Sequence, residues 1–155
     1  MASVVAAVRA ATSLTLITKL APNVPDIRVF AKAAADAGSD ALSICNTLPA
    51  MAIDIEARRP VLANVTGGLS GPAIHPVAVK LVWEASAAVD IPIIGMGGIA
   101  EPEDAIELLA AGATAVAVGT ANFIDPTTTL RVLAGIYEYM HRQGMARVAD
   151  IAIPH

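Results

Sequence analysis

Short apolar runs rich in β-branched residues recur along this chain with alanine-rich stretches of helical length between them, and that alternation restricts the fold more than any other feature. Strands joined through helices pair in parallel, because only a crossover returns the chain to the same end of the sheet. The pattern therefore predicts βα units on a parallel sheet. A helix near Ser3–Ala11 precedes a strand over Leu14–Leu20 and a helix over Asp26–Ala37, which Gly38 ends. Further strands are expected at Ala41–Cys45, Ile91–Gly95 and Ala115–Val118, with helices over Pro76–Ala88, from about Pro102 onward, and over Pro126–Gln143. Glu101, Glu103 and Asp104 suit the positive end of the Pro102 helix. The residues after Gln143 read as a loose tail.

Four such units occupy 155 residues, whereas a closed eight-stranded α/β barrel needs roughly 250. No low-complexity linker divides the chain, so residues 1–155 read as one domain, either an open α/β sheet or part of a barrel. Hydrophobic residues make up 55% and charged ones 15%, enough for a large core and incompatible with a disordered chain. Charges, Gly or Pro interrupt every apolar run before the ~18 residues a membrane helix requires. The 10 basic residues are scattered under a net charge of −4 and form no stripe for nucleic acid. The first residues show no basic, apolar and cleavage-site sequence of a leader, so a cytoplasmic location is expected. A single cysteine, Cys45, excludes an intrachain disulfide, and the three histidines lack metal-ligand spacing.

In α/β folds of either type, ligands bind at the carboxyl ends of the strands, where loops vary over a rigid sheet. That rule selects Lys19, then Cys45, Asn46 and Thr47, then Gly97 and Gly98, then Gly119 and Thr120. Backbone N–H groups from the two glycine loops can converge on one anion, as in a barrel phosphate site; alternatively these glycines only permit tight turns. A lysine closing an apolar strand either faces an electron-rich ligand atom or snorkels to water. Asn46 and Thr47 offer paired donors and acceptors for an amide-rich ligand, or cap a turn. Cys45 fits a small buried hydrophobe better than a nucleophile. The long connection Asn46–Pro72 stands out, since connections of that length usually carry function. Within it AIDIEARRPVLANV alternates as a hairpin would, and TGGLSGP reads as a loop.

The segments ITKLAPNVPDI, ICNTLPAMAIDIEARRPVLANVTGGLSGPAIHPVAVKLV, IPIIGMGGI and AVAVGTANF follow one another in this order over nearly the whole chain. In order and spacing they resemble class 1 dihydroorotate dehydrogenases, most of all the heterotetrameric 1B branch. The block between Asn46 and Pro76 is specific to that family, whereas GMGGI alone fits many barrels. The resemblance implies the C-terminal half of a (β/α)8 barrel that binds FMN and oxidises dihydroorotate to orotate in pyrimidine biosynthesis. It further implies that Lys19 contacts the flavin, Cys45 lines its pocket, Gly71 lets the backbone approach it, and Gly97, Gly98, Gly119 and Thr120 hold its phosphate. Asn46 and Thr47 would bind the orotate ring. Ala21 departs from the serine usual in the family. The catalytic base of the 1B branch is a cysteine of the N-terminal half, and Cys45 does not match its position, so no catalytic residue is expected in this chain. Implied partners are a second copy or an N-terminal half to close the barrel, and an electron-transfer subunit carrying FAD and an iron–sulfur cluster. A different reading is a non-catalytic half-barrel that binds FMN or phosphate.

Overall fold

The computed structural model describes residues 1–155, beginning with helix α1 (Ala2–Ala11), strand β1 (Ile17–Leu20), helix α2 (Ile27–Asp36) and strand β2 (Ala41–Ile44). The long connection contains strands β3 (Leu48–Ala50), β4 (Ile53–Asp54), β5 (Arg59–Pro60) and β6 (Gly67–Leu69), and a single 3-10 turn, Pro72–Ile74, leads into helix α3 (His75–Ser86). Strand β7 (Ile93–Met96), helix α4 (Pro102–Ala110), strand β8 (Ala115–Ala117) and helices α5 (Ala121–Ile124) and α6 (Thr128–Gln143) complete the alternation. No helix is long and apolar enough to cross a membrane.

Strands β1, β2, β7 and β8 form one parallel sheet in that spatial order. Its register fixes which side chains share a face, because successive residues of a strand point to opposite sides. Leu20, Leu42, Ile44 and Ile93 point one way and join a cluster with Ala31, Ala34, Ala78, Leu81, Val82, Ala85 and Leu108 from α2, α3 and α4. A Cβ on Gly95 would press on Leu108 and Ala113, so that position also admits the helices closely. The alternate residues form a second row, Lys19, Ser43, Ile94 and Ala115, aligned across all four strands. Of this row Lys19 and Ala115 are exposed, Ile94 is half-buried and Ser43 is buried in the central strand, and none of the four joins the helix-packed cluster. A doubly wound sheet carries helices on both faces, whereas a barrel keeps them outside, so this is the architecture of a barrel segment.

The helices begin and end where local chemistry directs. Asp26 accepts from the backbone N–H of Arg28 at 3.0 Å and caps α2, whose Ile27, Ala31 and Ala34 form the buried stripe. Asp104 accepts from the N–H of Glu101 and closes the first turn of α4. Gly144, left-handed at φ 68°, ends α6.

Several boundaries differ from expectation. Residues 14–16 do not extend β1, because Arg9 and Asp40 take their polar groups: the Leu14 carbonyl accepts from Arg9 and the Leu16 N–H donates to Asp40. The glycine-rich stretch is not all loop, since Gly67–Leu69 pairs antiparallel with Leu48–Ala50. Glycine is what allows this pairing, as a Cβ at Gly68 would overlap Thr47. The last helix starts at Thr128, with a separate short α5 before it. The tail is docked rather than loose: Ile151 is buried, the Ile153 N–H donates to the Ala110 carbonyl, and the His155 ring lies 4.0 Å from that of Trp83.

Candidate functional site

At the carboxyl ends of the four parallel strands lies a cavity of about 240 Å³, and all nine residues singled out above line it. Lys19 lies near the end of β1 on the face opposite the helix-packed cluster, with no carboxylate within ion-pair distance. Cys45 follows β2 and its N–H donates to the Met96 carbonyl at 3.0 Å. Burial pushes the Cys45 thiol up from its ordinary range, with the Lys19 ammonium pulling weakly the other way, so it stays protonated at neutral pH. Asn46 is tied to β1 through its N–H, which donates to the Leu20 carbonyl, and its side chain is exposed beside Thr47.

The wall opposite is backbone. Gly97 and Gly98 sit at φ 128° and 73°, a region that favours glycine, and turn the chain sharply after β7. Gly119 and Thr120 follow β8. The N–H groups of Gly98, Gly119 and Thr120 donate to no acceptor in the chain and are open to solvent or to a ligand, Gly119 and Thr120 being exposed and Gly98 half-buried. A Cβ added at Gly71 or Gly119 would meet no atom within 4 Å, so both positions face open space. Two loops thus present free donors, and two glycines leave room beside them for an anion. The lining contains no carboxylate and no imidazole.

Two residues of this region were not singled out from sequence. Ser70 accepts from Thr120 Oγ1 at 2.9 Å, tying the turn at Gly71 to the loop after β8. His75 lies behind the glycine turn, its Nδ1 2.9 Å from the Gly97 carbonyl and its Nε2 3.1 Å from Glu107 Oε2. None of these three pairings has a local signature, for the partners lie 50, 22 and 32 residues apart.

A parallel α/β barrel segment with a cavity at its strand ends, lined by unpaired backbone donors on one side and a lysine on the other, belongs to the class of barrel proteins that place ligand sites at that end of the sheet. The family model described as dihydroorotate dehydrogenase matches residues 1–140, and the chain belongs to that family. It is 56% identical over 148 residues to the catalytic subunit of dihydroorotate dehydrogenase B (NAD(+)) of Pelobacter propionicus, covering 96% of this chain and 49% of that protein. The subunit of the same name from Trichlorobacter lovleyi is 56% identical over 150 residues, with 97% and 49% covered. That from Bacteroides thetaiotaomicron is 53% identical over 148 residues, with 96% and 49% covered. The chain spans about half the length of the curated relatives it matches.

Proposed function

We propose that this chain is the second half of an FMN-dependent dihydroorotate dehydrogenase barrel acting in pyrimidine biosynthesis in the cytoplasm, and that it carries the flavin-phosphate cradle and part of the orotate site. The observation that carries this reading is that Gly98, Gly119 and Thr120, whose N–H groups have no acceptor in the chain, line one cavity together with an unpaired Lys19. A phosphate satisfies such amides, and the open space beside Gly71 and Gly119 leaves room for a bulky ring system. Bound FMN would supply the electron acceptor for dihydroorotate oxidation. The chain's own residues would bind and orient: Gly97, Gly98, Gly119 and Thr120 at the phosphate, Gly71 and Cys45 along the pocket, and Lys19 placing positive charge near an electron-rich edge of the ring. Asn46 and Thr47 would hydrogen-bond the dihydroorotate or orotate ring.

The remaining work falls to other residues. Oxidising dihydroorotate requires a base, and Cys45, buried and protonated, is not suited to be one. A barrel half with a base of its own, together with an electron-transfer subunit bearing FAD and an iron–sulfur cluster, would complete the enzyme; a second copy of this chain could close the barrel without completing the site. The absence of any carboxylate or imidazole in the lining also favours a second reading, a non-catalytic module that binds FMN or phosphate. Anaerobic mixing of the FMN-loaded chain with dihydroorotate separates the steps. The flavin should stay yellow with the 155-residue chain alone and bleach when a complementary half is added. Rapid bleaching by the chain alone would contradict the assignment of the base elsewhere, and none in either case would favour the module.

A further inference from the structure

We propose that His75 is a positioning residue for the phosphate cradle, holding the peptide between Gly97 and Gly98 in the orientation that turns the Gly98 N–H toward the bound anion. The proposal rests on reading the cavity as a flavin-phosphate site. A carbonyl oxygen only accepts hydrogen bonds, so the contact of 2.9 Å between His75 Nδ1 and the Gly97 oxygen places a proton on Nδ1. The ring is 7% exposed, which keeps water from competing for that carbonyl.

A trans peptide unit is planar, with its C=O and N–H pointing opposite ways. A donor that fixes the Gly97 carbonyl therefore fixes the Gly98 N–H, directed away from His75. The two flanking residues cannot do this alone. Without a Cβ, glycine adopts positive and negative φ with similar ease, so two glycines in succession allow the unit between them to flip at little steric cost. A flipped unit would offer a carbonyl oxygen to the anion in place of a donor.

The other ring nitrogen shows what holds the clamp. Nε2 lies 3.1 Å from Glu107 Oε2 and 3.9 Å from Asp104 Oδ1, both on α4. Asp104 Oδ2 in turn accepts from the N–H groups of Ala100 at 2.9 Å and Glu101 at 2.8 Å. Helix α4 thus grips the turn at residues 100–101 directly and, where Nε2 carries a proton as well and donates to Glu107, at Gly97 through the doubly protonated ring. Contact with the turn is close, for a Cβ at Gly98 would come within 2.6 Å of His75 Cβ.

The amide nitrogen of asparagine reaches the place of Nδ1, and that of glutamine the place of Nε2, so the two substitutions separate the clamp from the anchor. Flavin fluorescence titrations with FMN and with riboflavin, which lacks the phosphate, would be run on the wild-type chain and on H75L, H75N and H75Q. H75L should weaken FMN roughly tenfold and leave riboflavin unchanged. H75N should restore FMN affinity to within about threefold, and H75Q should behave like H75L. A wild-type preference for FMN that survives in H75L would overturn the proposal, as would equal losses for FMN and riboflavin or rescue by glutamine in place of asparagine. If H75L does not fold, the contrast between H75N and H75Q decides alone. A wild-type chain with no preference for FMN over riboflavin would instead refute the flavin-phosphate reading, and the clamp with it.

Discussion

The two faces of the four-stranded sheet differ in what they need. On the helix side Leu42 and Ile44 are completely buried and pack in one continuous cluster with α2, α3 and α4. On the other side Ile17 is 47% exposed and Lys19 and Ala115 stand open, although the strands are the same. The helix-covered face is complete within the chain. The opposite face lines the candidate site; Ser43 and Ala41 in the central strand are buried there, but its outer strands are open, as the interior of a barrel is where no further strands close it.

Substitutions on the two faces should therefore diverge, and the largest effect is expected in the core. Leu42→Ala should cost about 3 kcal/mol in urea denaturation, whereas Ile17→Ala should change stability by less than about 0.5 kcal/mol. Similar losses at both positions would mean that the inner face is already covered. Association should show the opposite dependence. Exposed edges of β1 and β8 and an apolar face open at its outer strands favour self-association or capture of a complementary half, since unpaired strand edges and apolar patches seek partners. Light scattering coupled to size exclusion should show species larger than the 15.8 kDa chain, and Ile17→Lys should shift them toward monomer. A monodisperse wild-type monomer at micromolar concentration would break the comparison.

Within the cradle, glycines that face packing and glycines that face open space should respond differently. Gly98→Ala should cost on the order of 1–3 kcal/mol, because φ is 73° and the new methyl would meet His75 and the Gly71 carbonyl. Gly119→Ala should leave stability within about 0.5 kcal/mol, having no atom to strike, yet impair FMN binding by occupying the open space. The smallest expected effect is at the far end of the sheet. The Leu16 N–H, and after it Arg9, hold the Asp40 carboxyl below its usual range. Its contribution is present above the unfolded carboxylate range and lost as pH falls through the depressed folded value. The melting temperature of Asp40→Asn should fall slightly below wild type at pH 7, and the gap should close as the pH is taken below the usual carboxylate range.

How much of this was legible beforehand follows from the range of each interaction. Alternation of strands and helices implies parallel strands, and parallel strands put their carboxyl ends together. Lys19, Cys45, Asn46, Gly97 and Gly119 could thus be placed in one cavity without knowing any contact. Ser70 and His75 could not, because what gives them a role is a partner on another element. Gly67–Leu69 was hidden for a related reason: glycine disfavours strands locally, and only the approach of Thr47 and Leu48 explains why a side chain is excluded there. The docking of Ile151 likewise depends on a site completed by α4, with nothing in VADIAIPH to announce it.

The most direct test of the account is an equilibrium titration of the 155-residue chain with FMN, followed by flavin fluorescence, with riboflavin in parallel. The account predicts a saturable change with FMN at or below the order of 100 µM and affinity for riboflavin at least roughly tenfold weaker. Equal affinities, or no saturation with either flavin, would contradict the claim that the loops at Gly98 and Gly119 form a phosphate cradle.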